Sequence, residues 1–268
     1  MRPDMVAVEI AASFVAARRR GHGLAKFPGL FPLGLEDAYA IQLAAIELWP
    51  DAIAGWKVGR LSPALADRFG KDRFVGPVFA GGVIRLDKSE EADFPVFVGG
   101  SAAFEAEYVM VLDKDQPSLQ TGVDIDQARR LVGEVRIGVE VAGSPLAIMP
   151  HLDALASIAD LGNNNGQIVG PAVPLDLLSD PRAMTCATSI DGVLIRSATA
   201  ADLPGGPLTA LAFALDQCAR LGFPLKAGQF VSTGAVTGMH WVRAGQHCVA
   251  DFGRFGKVAC LAVPVGRA

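Results

Sequence analysis

The dominant hydrophobic period of this chain changes near residue 70, and that change limits the folds open to it. Up to about residue 70, apolar residues recur at helical spacing, as in LEDAYAIQLAAIELW before Pro50. Beyond that point, short apolar or alternating runs are separated by glycine-rich turns, a pattern typical of strands. We therefore predict an α+β fold, with a helical N-terminal section over 1–75 and a β-rich domain over 76–268 that together form one structural unit.

Local signals place several turns and helix ends. Ser62, which is followed by proline, has the position of a helix N-cap. Asp124 begins a capping-box sequence and predicts a helix over 125–132. The pair Asp191 and Gly192 lies between two apolar runs and predicts a tight hairpin turn.

Acidic residues interrupt two of the predicted strands. Segment 104–112 (FEAEYVMVL) contains Glu105 and Glu107, and segment 135–142 (VRIGVEVA) contains Glu140. Strand side chains two positions apart share a face, about 7 Å apart along the strand. Like charges placed among valines need a compensating charge, and carboxylates without nearby His or Cys suit a hard cation, Mg²⁺ or Mn²⁺. The alternative is that these acids face solvent on edge strands.

Composition excludes several partners and locations. The formal net charge is -4, which argues against a nucleic-acid binder that relies on a basic surface. No apolar run reaches the roughly 18 residues of a membrane span. Three arginines follow the first apolar run, whereas a secretory peptide carries its positive cluster before it. The four cysteines form no CxxC pair, so we expect buried, reduced thiols in a cytoplasmic protein.

Several segments, taken in their order along the chain, resemble a known family. They are LEDAYAIQ, GWKVG, FEAEYVMVL, IGVEV, IADLGNNNGQIVG, KAGQFVSTGAVTG and AGQHCVADFGRFGKV. Together they resemble the 2-keto-4-pentenoate hydratase and 4-oxalocrotonate decarboxylase family, within the fumarylacetoacetate hydrolase-like superfamily. The resemblance implies a mixed, mostly β roll or barrel-like catalytic core with a helical N-terminal section. It also implies homo-oligomers, pentamers or decamers, and a possible complex with a pathway enzyme. Buried subunit contacts would account for part of the apolar surplus.

The resemblance also implies a set of site residues. Glu105, Glu107 and Glu140 would coordinate Mg²⁺ or Mn²⁺, and the metal would chelate the oxygens of a small 2-oxo or 2-hydroxy-dienoic acid. Lys57 would lie in the site and take part in proton transfer. Asp160 either joins Lys57 as a catalytic group or closes the turn at the end of its helix.

Three further residues are candidate substrate contacts, and each has a structural alternative. Ser62 would otherwise serve only as the cap of the following helix. Asn163 would otherwise belong to a turn that accepts left-handed backbone. Thr233, which the resemblance places near the substrate carboxylate, would otherwise lie in a glycine-rich turn between strands.

The function that the resemblance implies is a metal-dependent lyase that adds water to a 2-hydroxyalka-2,4-dienoate in aromatic-compound degradation. A 4-oxalocrotonate-type decarboxylase is the first alternative. An acylpyruvate or β-diketone hydrolase ranks lower, because that reaction usually needs an added His–Glu pair. A non-catalytic partner subunit is a further alternative. Ala80 stands where the family usually has an acid and Pro145 where it often has an arginine, so the substrate surroundings differ from the family pattern.

Overall fold

Six α-helices form within the residues that the computed structural model describes, which are 5–86, 91–117 and 121–265. They are α1 (Met5–Arg20), α2 (Leu35–Leu48), α3 (Pro63–Phe69), α4 (Ile125–Arg129), α5 (Ala154–Ala159) and α6 (Gly206–Arg220). None of the described helices combines the length and the apolar character that crossing a lipid bilayer requires.

Thirteen strands form in the same ranges. They are β1 (Ile53–Arg60), β2 (Arg73–Phe79), β3 (Val83–Arg85), β4 (Glu91–Val96), β5 (Ser101–Leu112), β6 (Val132–Ser144), β7 (Asn164–Val173), β8 (Thr185–Ile190), β9 (Val193–Thr199), β10 (Phe230–Ser232), β11 (His240–Trp241), β12 (His247–Asp251) and β13 (Lys257–Pro264).

The strands form two mixed sheets. The larger follows the order β2-β1-β10-β5-β6-β7-β3, with β11 also paired to β5, and it curls into a half-barrel. The smaller follows the order β4-β13-β12-β8-β9. The predicted fold, a mixed and mostly β barrel-like core with a helical N-terminal section, is confirmed. Because β5 and β6 are the two longest strands and lie inside the larger sheet, the centre of this sheet is a rigid platform.

The N-terminal section and the rest of the chain share one core. Helices α1 and α2 pack against each other, and α2 also packs on α5. Strand β1 belongs to the larger sheet, where it pairs antiparallel with β2 and parallel with β10. One hydrophobic cluster contains buried residues of both the helices and the sheet. The boundary at residue 75 stays a prediction from the sequence.

Local sequence signals account for several element ends. Ser62 caps α3 by accepting from the backbone of Leu65, as its position before a proline predicts. Asp191 and Gly192 both have positive φ, 50° and 77°, which is the conformation of a type I′ hairpin turn. The four cysteines are buried and free, as predicted. The capping box at Asp124 is present, but its helix is shorter than the predicted 125–132.

The helix before β7 is shorter than the spacing of its apolar residues indicates. The segment HLDALASIADLG has helical spacing, yet α5 covers only six of its residues. Leu161, Gly162 and Asn163 have φ values of 53°, 74° and 58°, so the backbone leaves the right-handed helical region three times in succession. We call residues 161–163 the left-handed turn; it leads directly into β7.

Gly76 of β2 is where the left-handed turn meets the sheet. A Cβ atom on Gly76 would lie 2.5 Å from the Cα of Gly162, so an added methyl must displace backbone. We expect Gly76→Ala to lower the free energy of unfolding by about 1–3 kcal/mol, the usual cost of overpacking. Gly34→Ala is the control, because its methyl would meet only Phe69 at 3.8 Å. Urea unfolding measures both, and equal midpoints for the two variants would contradict the prediction.

Candidate metal centre and active site

The three predicted metal-binding glutamates lie together on one face of the larger sheet. Glu105 of β5 is directly opposite Glu140 of β6, and Glu107 is two residues further along β5. One carboxylate oxygen from each lies within 4.8 Å of the others. Glu107 and Glu140 are 0% exposed and Glu105 is 6% exposed. Because β5 and β6 are interior strands, the alternative that these acids face solvent on edge strands is wrong.

Lys57 supplies the positive charge at this cluster. Its Nζ lies 3.1 Å from Oε1 of Glu140, and the side chain is buried. The sheet brings it there because β10 lies between β1 and β5, so that Lys57 pairs with Ser232 and Ser232 pairs with Val109. Its Nζ also lies 5.3 Å from the centre of the Phe74 ring. One buried ammonium therefore faces three buried carboxyl groups.

Polar neighbours occupy one oxygen of each of two glutamates. Oε2 of Glu107 accepts from Ser232 Oγ at 2.5 Å and from the backbone N–H of Gly234 at 2.9 Å. Oε1 of Glu140 accepts from Asn164 Nδ2 at 3.1 Å as well as from Lys57. These donors fix the orientation of both carboxyl groups.

The second oxygens have no such partner. Oε1 of Glu105, Oε1 of Glu107 and Oε2 of Glu140 are sealed from solvent and have no hydrogen-bond partner among the described residues. Buried, unpaired carboxylate oxygens are costly, and three of them converge here. Oxygen ligands from carboxylates are what Mg²⁺ and Mn²⁺ prefer. The donor set therefore fits a hard divalent cation.

Burial and the neighbouring acids make Glu105 and Glu107 difficult to ionise. Burial, with a further contribution from the charge of Glu140, raises the pKa of Glu105 to about 7. Burial and the two neighbouring glutamates raise the pKa of Glu107 well above its usual range. Burial alone would lower the pKa of Lys57, but the three glutamates, Glu140 first, outweigh it and raise that pKa to about 12. In the metal-free protein Lys57 is therefore an ammonium.

A cavity of about 510 Å³ opens beside the cluster. Lys57 and Glu105 are among its lining residues, as are the three predicted substrate contacts, Ser62, Asn163 and Thr233. The structure thus brings five of the eight predicted site residues to one cavity. Glu140 contacts the lining residue Lys57, and Glu107 accepts a hydrogen bond from Gly234, which also lines the cavity.

The three predicted substrate contacts differ in what their polar atoms are free to do. The Ser62 hydroxyl caps α3, and the Thr233 hydroxyl donates to the backbone oxygen of Tyr108 at 2.8 Å. Oδ1 of Asn163 is buried and has no hydrogen-bond partner among the described residues. Asn163 is therefore the one of the three whose side-chain oxygen has no hydrogen-bond partner within the described part of the chain.

Asp160 lies elsewhere. Its carboxylate is buried and accepts from Arg18 Nε at 2.6 Å and from Ser144 Oγ at 2.5 Å. It is not among the described residues that line the cavity. Both oxygens are occupied, which agrees with the alternative that Asp160 serves the turn after its helix.

Sequence reasoning missed four residues around this centre: Arg18, Asn164, Gln167 and Ser232. Gln167 of β7 is opposite Glu140 of β6, and its Oε1 is buried without a partner among the described residues. The lack of a side chain at Gly138 leaves room for it, since a Cβ there would lie 3.1 Å from Gln167 Nε2. A polar amide next to the apolar residues of QIVG was the sequence signal that could have indicated Gln167. The roles of Arg18, Asn164 and Ser232 depend on long-range contacts.

The chain is similar in sequence to known enzymes over most of its length. The chain is 28% identical over 265 residues to a 2-keto-4-pentenoate hydratase of Burkholderia vietnamiensis (strain G4 / LMG 22486), covering 96% of this chain and 98% of that one. It is 27% identical over 244 residues to 2-keto-4-pentenoate hydratase 3 of Pseudomonas putida, covering 88% and 87%.

A solved structure shares the fold. The 4-oxalocrotonate decarboxylase from Pseudomonas putida G7, complexed with magnesium and adipate, superposes with a TM-score of 0.79 at 21% identity, covering 96% of this chain and 97% of that one. The model of the fumarylacetoacetate (FAA) hydrolase C-terminal family matches residues 88–262, a range that includes all three glutamates. The chain therefore belongs to the fumarylacetoacetate hydrolase family.

Proposed function

We propose that this protein is a metal-dependent lyase that adds water to a 2-hydroxyalka-2,4-dienoate and forms a 4-hydroxy-2-oxo acid. The observation that carries the proposal is the set of three buried carboxylates, each with a buried, unpartnered oxygen, beside a lysine at the wall of a cavity. The two curated relatives named 2-keto-4-pentenoate hydratase, which match over most of their lengths, support the substrate class.

The roles of the chain's residues follow from their positions. Glu105, Glu107 and Glu140 would hold Mg²⁺ or Mn²⁺, which when bound supplies Lewis-acid stabilisation of negative charge on the 2-oxo group. Lys57 is one of the lining residues, and its Nζ can carry a proton between the substrate oxygen and its carbon chain. Asn163 offers an unpaired amide oxygen to the substrate or to the attacking water.

A 4-oxalocrotonate-type decarboxylase is the second candidate, and one feature of the cavity favours it. Arg60 and Arg196 line the cavity, and neither guanidinium forms a hydrogen bond or ion pair with another described residue. Unpaired arginines suit a substrate with a second carboxylate. An acylpyruvate hydrolase is less well supported, because no histidine is among the described lining residues. A non-catalytic partner subunit remains the outcome to expect if no reaction is found.

We also infer that copies of this chain assemble. Val193, Leu194 and Ile195 are consecutive and exposed on β9, an edge strand of the smaller sheet. Exposed apolar edge strands are surfaces that a partner commonly covers. This supports a homo-oligomer, while the number of copies, any pathway-enzyme partner and the cytoplasmic location stay predictions.

Turnover tests the proposed function directly. We expect purified protein with Mg²⁺ or Mn²⁺ to consume 2-hydroxypenta-2,4-dienoate, measured as loss of the conjugated chromophore. Release of CO₂ from 2-oxohex-3-enedioate, without hydration of the first substrate, would assign the decarboxylase instead. Absence of both reactions, together with no metal binding by calorimetry, would refute the enzyme assignment.

Glu107→Gln tests the metal assignment. The amide oxygen can still accept from Ser232 and Gly234, so the fold should persist, but a neutral ligand should weaken Mn²⁺ binding and lower turnover at least ~100-fold. The metal-free variant should melt a few degrees higher at pH 8, because an acid that is costly to bury has been removed. Glu47→Gln, an exposed change on α2, is the control. Undiminished Mn²⁺ affinity in Glu107→Gln would contradict the assignment.

The raised pKa of Glu105 predicts a pH dependence. Between an unfolded carboxyl pKa of about 4.3 and a native pKa of about 7, the native state holds a proton that the unfolded state has lost. The contribution of Glu105 to the stability of the metal-free protein is thus present at low pH and is lost as pH rises through about 7. Since a cation binds the ionised form, Mn²⁺ should raise the melting temperature more at pH 8 than at pH 6. An equal or larger rise at pH 6 would count against it.

A further inference from the structure

Arg18 is buried at the end of α1, although its two neighbouring arginines are exposed. Its Nε donates to Oδ1 of Asp160 at 2.6 Å, and its Nη2 donates to the backbone oxygen of the same residue at 3.1 Å. Its Nη1 donates to the backbone oxygen of Asn164 at 2.7 Å, and Nη2 also donates to that of Gly143 at 2.9 Å. One guanidinium therefore joins a terminal helix to residues more than 120 positions away.

The partner carboxylate is equally constrained. Oδ2 of Asp160 accepts from Ser144 Oγ, and that hydroxyl oxygen accepts from the backbone N–H of Leu146 at 2.9 Å. A buried ion pair is weak evidence for stability, because desolvation of two charges offsets their attraction. The hydrogen bonds of this pair, which reach several separate backbone segments, instead fix the positions of those segments relative to one another.

The segment that the ion pair fixes is the left-handed turn. Asp160 immediately precedes the turn and Asn164 immediately follows it, and Arg18 bonds to both. Leu161 and Asn163 adopt positive φ, a backbone conformation that non-glycine residues rarely adopt and that is especially unfavourable for leucine. Arg18 clamps the two ends of a strained segment.

The left-handed turn, together with Asn164 directly after it, meets the candidate active site at three residues. A Cβ on Gly162 would lie 3.4 Å from Cδ of Lys57, so the turn packs along the lysine side chain. Asn163 is one of the residues that line the cavity, and Asn164 donates to Oε1 of Glu140, the same oxygen that Lys57 contacts.

We propose that Arg18 and Asp160 are positioning residues that clamp the left-handed turn and thereby set Lys57 and Asn164 against Glu140. Neither residue touches the cavity, so both act through the turn. The kinetic part of this inference rests on the proposed function, whereas its metal-binding part can be measured without turnover.

Arg18→Lys is the decisive variant. A lysine keeps the positive charge beside Asp160 but lacks the planar set of donors that reaches Asn164 and Gly143 at once. We expect the folded variant to lose kcat by ~10-fold or more, with KM within about threefold, and to bind Mn²⁺ about tenfold more weakly by calorimetry. Ser144→Ala, a smaller change that keeps the ion pair, should lower kcat about threefold and serves if Arg18→Lys does not fold.

Arg136→Lys is the matched control. Arg136 also bonds to one carboxylate, Glu134 at 2.8 Å, and to one backbone oxygen, Gly170 at 3.0 Å, but it has no bond to the left-handed turn. We expect its kcat and Mn²⁺ affinity to stay within twofold of the parent. Folded Arg18→Lys or Ser144→Ala with both quantities unchanged would overturn the inference, even with a lower melting temperature. A parent protein without turnover or metal binding would instead refute the proposed function.

Discussion

The central constraint on this molecule is electrostatic: three buried carboxyl groups converge, and one oxygen from each lies within 4.8 Å of the others. Protein interiors disfavour even one such group unless it is paired. Lys57, Ser232, Asn164 and a backbone amide satisfy part of the charge, and they come from three different strands and a turn. The remaining oxygens stay unpaired, and this deficit is what suits the centre to a divalent cation.

The scaffold around this deficit consists of strands rather than loops. Glu105 and Glu140 are a cross-strand pair in the longest ladder of the sheet, so neither can move without breaking backbone hydrogen bonds. The irregular part of the centre, the left-handed turn, is secured by the Arg18 and Asp160 pair. Rigid elements thus carry the charged groups, and an anchored turn carries the polar groups that face the cavity. Sites of this kind lose little to reorganisation when a charged ligand arrives.

The sequence made the fold class and part of the centre predictable, because these depend on local patterns. The two-residue spacing of Glu105 and Glu107 puts them on one face in any strand, and a lone acid at Glu140 among valines marks a buried position. Lys57 followed only from resemblance to a family. The register that sets Glu105 opposite Glu140 cannot be derived from either strand alone.

The residues that escaped prediction are those defined by distant contacts. Arg18 belongs to a helical run in which three arginines look equivalent, and only the packing of α1 buries the first of them. Asp160 has the sequence position of a catalytic acid, and the contact with Arg18, 142 residues away, is what places its carboxylate outside the cavity. Helical spacing similarly overextended α5, because no local rule announces three successive left-handed residues.

The parallel pairing of β1 with β10 has a consequence for how the protein is made. Lys57 and Ser232 are adjacent in the sheet but 175 residues apart in the chain, and β10 must insert between β1 and β5 before the sheet is continuous. On the ribosome, β1 and β5 are therefore synthesised long before the strand that joins them. Pairing over such separations is slow, because the entropy cost of closing the loop comes before any favourable contact forms. During synthesis the three acids therefore lack both Ser232 and the completed sheet, so the nascent chain has to pass through a stage in which its most costly charges are still hydrated.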